Sequence, residues 1–119
     1  MAESTTARGS RAETLASEYL EQQGYQIVTR NFRTANGEID LIAYDGPVLC
    51  FVEVRSRKST AFGDPLETIG RQKINRVVRA ARAYLDHLDG PWPQMRFDAV
   101  GIVMSDPPQI ELVRDAFEA

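Results

Sequence analysis

Apolar residues recur at helical spacing at Ala12, Leu15, Ala16, Tyr19 and Leu20, so an amphipathic helix is predicted over residues 11–23. Ser10 with Glu13 three residues later fits a capping box, and Gly24 fits the left-handed position past the last turn. The pattern then shortens. Tyr25 to Arg33 is rich in β-formers, Glu38 to Tyr44 and Val48 to Arg55 alternate, and the Asn36-Gly37 and Asp45-Gly46 pairs are turn signals, which together predict a three-strand meander.

Between Ser56 and Gly70 no period holds, and the stretch reads as a loop long enough to be functional. Ile74, Val77, Val78, Ala81, Leu85 and Leu88 restore the helical stripe over residues 71–88, and Gly90-Pro91 ends it. Arg96 to Met104 reads as a strand and Gln109 to Arg114 as a last short one. Helix, three strands, helix and two strands make an α/β fold with a mixed sheet, because a helix crossover permits parallel pairing.

Alternation places Glu38 and Asp40 with Ile42 on one face of their strand, and Glu53 and Arg55 with Leu49 and Phe51 on one face of the next. Cys50 then falls on the apolar face with Val48, Val52 and Val54. If the hairpin keeps the acidic faces aligned, Asp40 and Glu53 lie opposite or diagonal, about 4.5 to 8 Å apart. Facing carboxylates repel, and a hard divalent cation such as magnesium removes that cost while keeping waters for phosphate. The bland alternative is a solvated face neutralised by nearby basic groups.

At 119 residues the chain makes one domain, residues 10–119, after a small polar stretch 1–9 expected to be unstructured. No apolar run nears the roughly 20 residues of a membrane span, and a cytoplasmic location is expected. The single cysteine, Cys50, precludes an intrachain disulfide. A net charge of −3 argues against bulk electrostatic coating of nucleic acid. The distribution points the other way: Arg71, Lys73, Arg76, Arg79 and Arg82 follow one another with no acid between, and Arg55, Arg57 and Lys58 form a second basic group. Charged helix faces usually meet only solvent, but the lack of acidic partners makes phosphate binding an even alternative. His87 and Trp92 read as surface structure and a packing plug, and Asp98 as a structural hydrogen-bond acceptor.

Glu13, Tyr19-Leu20, Gly24-Tyr25, Arg30-Asn31, the run Gly37 to Ala43, the run Phe51 to Arg57, Gly63, Lys73, Arg96-Phe97-Asp98 and Ala116-Phe117 resemble the YraN family of bacterial proteins. That family is similar to the PD-(D/E)xK, or restriction-endonuclease-like, superfamily and to the archaeal Holliday junction resolvases. The resemblance implies a restriction-endonuclease-like sheet flanked by helices. By position it makes Asp40 and Glu53 metal ligands, with the Val54 carbonyl a further one, for magnesium or manganese. Glu13 becomes an accessory acid. Arg57, Lys58, Lys73, Arg76, Arg79 and Arg82 are the expected contacts to nucleic acid, with branched DNA as the implied substrate and a homodimer as the implied assembly.

One position departs from the pattern. The superfamily has lysine where this chain has Arg55, which cannot act as a general base but can stabilise charge on a phosphate. A magnesium-dependent endonuclease, a catalytically silent nucleic-acid-binding module on the same scaffold, and a protein-interaction domain all remain open on the sequence.

Overall fold

The computed structural model describes residues 5–59, 61 and 63–119. Its elements run α1 (Thr5–Gln22), β1 (Tyr25–Thr34), β2 (Gly37–Asp45), β3 (Val48–Arg57), α2 (Arg71–Asp86), β4 (Met95–Val103) and β5 (Gln109–Val113), with a short 3-10 turn at Pro65–Thr68 before α2. The strands form one sheet in sequence order. The meander pairs antiparallel, β3 and β4 pair parallel across the α2 crossover, and β5 returns antiparallel. This is the mixed sheet between helices that the restriction-endonuclease-like class requires.

Each face of the sheet buries one helix. Ala12, Ala16 and Leu20 of α1 pack on Leu41, Ala43, Cys50, Val52, Val100 and Ile102. On the opposite face Val77, Ala81 and Leu85 of α2 pack on Ile39, Ile42, Phe51 and Phe97. Both sides of the central strands are thus apolar and removed from water, so a polar side chain buried among them needs a reason. The C-terminal tail folds back, stacking Phe117 on Phe97 at 5.2 Å.

Several expectations change. The first helix begins at Thr5, so residues 5–9 are helical rather than unstructured, and Ser10 lies inside the helix, where it cannot cap; residues 1–4 lie outside the described chain. No proline precedes Ser10 to stop the helix, and the Ser10 carbonyl is taken by the Thr14 hydroxyl at 3.1 Å. Trp92 is half-exposed rather than a plug.

The turn into β2 also works differently. Its two central residues are Ala35 and Asn36, whose φ values are negative, and the Thr34 hydroxyl accepts from the amides of Asn36 and Gly37. Gly37 serves another purpose. A Cβ there would collide with the Arg76 carbonyl, so its bare backbone lets α2 come down on the start of β2.

Candidate active site

The site forms where the sheet opens. Pairing of β2 with β3 ends at Leu41 opposite Val52, one step before Asp40 would face Glu53. Pairing of β2 with β1 skips Asn31 and Asp40, and Asn31 is in the left-handed region with φ 52°. Backbone bonds are replaced there by acidic side chains. The Asp40 amide donates to Glu53 Oε2 at 3.2 Å, and the Val54 amide donates to Asp40 Oδ2 at 2.8 Å. The two carboxylates are therefore built into the gap between the strands, each anchored by one oxygen.

The irregularity also breaks the expected alternation. Ile39 faces α2 together with Ile42, whereas strict alternation puts the two on opposite faces. Glu53 is fully buried on the α2 side, as expected from Phe51 and Leu49 on the same face. Its Oε1 carries no hydrogen bond among the described residues. Lys73 Nζ stands 3.1 Å from that oxygen, within ion-pair range but off the direction of a hydrogen bond, and 3.4 Å from Glu38 Oε1. Lys73 reaches this point because Gly37 admits α2 one helical turn further along, at Arg76.

Crowded, desolvated carboxylates resist ionisation. Burial and the neighbouring Asp40 push Glu53 up to about 7, against the pull of Lys73 and the Asp40 amide. Burial likewise raises Asp40, opposed by the Val54 amide, Lys73 and Arg55. Across the gap on α1, burial and Asp40 raise Glu13, with the Asn31 side chain acting to lower it. Glu38 behaves oppositely: burial works against its charge, but Lys73, Arg76 and Arg33 outweigh it and hold the carboxyl below its ordinary range.

Asp40, Glu13 and Glu38 open into a cleft of about 280 Å³ lined also by Arg8, Val54, Arg55 and Lys73 among others, and Glu53 lies buried behind it, against the Asp40 amide. The residues expected to form the site, Asp40, Glu53, Val54, Arg55 and Glu13, are brought together, and Lys73 moves from the expected outer contacts into the centre. Arg8, placed in the unstructured stretch on sequence, lines the same cleft.

The donor set suits a hard cation. It offers carboxylate oxygens on adjacent strands, one of them buried without a hydrogen bond among the described residues. Among the described residues no three His, Cys, Asp or Glu side chains form a cage.

A family model described as "Uncharacterised protein family UPF0102" matches residues 12–102. A UPF0102 protein of Anaeromyxobacter sp. is 46% identical over 113 residues, covering 94% of this chain and 85% of that one. The chain belongs to this family. A UPF0102 protein of Chlorobaculum parvum is 46% identical over 80% of this chain and 74% of its own length, and one of Nocardia farcinica 43% identical over 83% and 78%. UPF0102 is the YraN family that the motifs resemble, and the matched span contains Glu13, Asp40, Glu53, Arg55 and Lys73 but not Arg8.

The remaining basic residues of this UPF0102 chain lie outside the cleft. Arg76, Arg79 and Arg82 are exposed along α2, the last two beside the β1–β2 turn. Lys58 is exposed after β3, Arg57 is half-buried, and the Nε atoms of Arg55 and Arg57 have no hydrogen bond among the described residues. Asp98 pairs with Val52 across β3 and β4 but does not line the cleft. Fully buried, it accepts from the Tyr25 hydroxyl at 2.7 Å, Arg96 Nε at 2.8 Å and the Asp115 amide at 3.0 Å. No helix among the described residues is long and apolar enough to cross a membrane.

Proposed function

We propose that this UPF0102 protein is a magnesium-dependent endonuclease acting on branched or otherwise structured DNA. The observation that carries the reading is the convergence of Asp40, Glu53 and Lys73 where the β2–β3 ladder opens. Asp40 and Glu53 would hold the ion through the oxygens not spent on backbone amides, with the Val54 carbonyl as a further ligand. When bound, magnesium supplies a Lewis acid that offsets charge on a phosphoryl oxygen.

The chain's own groups have separate tasks. Lys73 supplies the ammonium that the superfamily pattern puts two residues after Glu53, here from α2 instead of β3. Arg55 adds a fixed positive charge beside Asp40 for the charge that develops on phosphate. Glu13, its carboxyl raised by burial and Asp40, is suited to hold or release a proton at the cleft edge. Arg76, Arg79 and Arg82 on α2, with Arg57 at the end of β3 and Lys58 after it, extend the positive surface for backbone phosphates. The resolvase resemblance favours branched DNA as the first substrate to try and a pair of chains as the acting unit.

A catalytically silent DNA-binding module would also keep these charges, with Lys73 serving only to neutralise Glu53. Cleavage of a four-way junction by wild-type protein in magnesium, absent from Asp40→Asn and Glu53→Gln, separates the two. No cleavage of branched, duplex or single-stranded DNA above the double variant's background rejects the enzyme.

A further inference from the structure

Glu38 sits at the mouth of the cleft amid more positive charge than it can neutralise. Arg33 of β1 approaches its Oε2 at 3.8 Å, while Lys73 and Arg76 of α2 approach Oε1 at 3.4 and 3.9 Å. Three cations around one carboxylate leave an excess of positive charge, and Lys73 is shared only with Glu53 among the described residues. The contacts are also loose. Of the three, Lys73 alone makes a hydrogen bond to Glu38, and the guanidinium side chains of Arg33 and Arg76 are 74% and 54% exposed.

Such contacts contribute little to stability, since exposed ion pairs gain little over hydrated charges. The side chains of Arg33 and Arg76 make no hydrogen bonds among the described residues, so their planar forks remain available to an acceptor with more oxygens and a tetrahedral shape. Their placement is fixed from below: the bare backbone of Gly37 lets α2 contact the start of β2 at Arg76, and Lys73 and Arg76 both approach Glu38 Oε1.

We infer that Arg33 and Arg76, outside the Lys73 ammonium, form a binding subsite for a backbone phosphodiester next to the cleaved one, and that Glu38 occupies it as an internal phosphate mimic until nucleic acid displaces it. The inference rests on the nucleic-acid reading of the cleft but not on metal binding or turnover. Glu38 thereby weakens binding to every nucleic acid alike, and only a substrate with further contacts overcomes it.

The test is fluorescence anisotropy of a labelled DNA duplex in EDTA, comparing wild type with Glu38→Gln and with Glu21→Gln, which removes an equal charge from an exposed position on α1. Glu38→Gln is expected to tighten binding about fivefold to tenfold over Glu21→Gln and to steepen the slope of log K against log salt by about 0.9, one additional phosphate contact. Adding Arg76→Ala to Glu38→Gln is expected to cancel most of the gain. Equal affinities for the two Gln variants, or weaker binding by Glu38→Gln, would overturn the subsite. Magnesium-dependent cleavage measured on the same wild-type preparation keeps the two readings apart: cleavage without tightening overturns the subsite alone, and absence of DNA binding by every form overturns both.

Discussion

Lys73 Nζ lies 3.1 Å from Glu53 Oε1, so a helix reached after a long loop delivers a cation to the buried carboxylate of a central strand. The strand itself carries Arg55 at the position where the superfamily pattern has lysine, and the charge that the cleft needs arrives from the other side of the site.

If Lys73 supplies that function, Lys73→Ala reduces cleavage by about 10²- to 10³-fold, the usual cost of losing one fixed electrostatic contact to a transition state. Arg55→Lys in the Lys73→Ala background restores part of it. Single-turnover cleavage of a junction checks both; activity unchanged by Lys73→Ala would remove Lys73 from the reaction.

Lys73 was legible in the sequence as a residue that matches the family pattern and could enter the site, but not as the partner of Glu53. Its direction depends on Gly37, read there as a turn glycine because Asn-Gly is a strong hairpin signal. The structure uses Gly37 for close packing against Arg76, a contact of high sequence separation that no local pattern reveals. The elements themselves were legible because periods of 2 and 3.6 alternate cleanly along the chain, and the meeting of Asp40 with Glu53 followed from hairpin register. The break in alternation at Ile39 was not legible, since it arises from the unpaired gap that the two carboxylates fill.

Gly37→Ala tests the packing. The added methyl must push α2 away from β2, costing about 1 to 3 kcal/mol as overpacking does and drawing Lys73 off Glu53. Urea denaturation is expected to show the loss, with cleavage falling further than the folded fraction accounts for. Asn36→Ala, one residue earlier in the exposed turn, should change neither by much.

Glu53 makes a pH-dependent contribution of definite sign. Its folded pKa of about 7 lies above the ordinary 4.5, so the folded state holds a proton that the unfolded state releases, and stability falls as pH rises from 4.5 to 7, then levels. The cost at neutral pH is at most on the order of 3 kcal/mol. Glu53→Gln cannot ionise, so its melting temperature should gain on wild type between pH 5 and about pH 8. A difference independent of pH would show that Glu53 is ionised throughout.

Asp98 has the opposite sign. Burial opposes its charge, but Arg96, the Asp115 amide and the Tyr25 hydroxyl prevail and hold it below its ordinary range, so its stabilisation is present above about pH 4 and is lost as pH falls through the lower folded pKa. Asp98→Asn should cost about 3 kcal/mol in urea denaturation, because Arg96 loses a buried carboxylate and keeps only Asp45, at 2.8 Å, as an ion-pair partner, with the Tyr25 hydroxyl as a neutral acceptor at 3.0 Å. Cleavage and DNA binding per folded molecule should be unchanged, which marks the network as structural.

Calorimetric titration of magnesium and manganese into wild type, Asp40→Asn and Glu53→Gln most directly tests whether the opened strands hold a divalent ion, before any substrate is known. One ion per chain in wild type, lost or greatly weakened in both variants, is the expected result. Absence of binding to wild type, or equal binding by all three proteins, would contradict it.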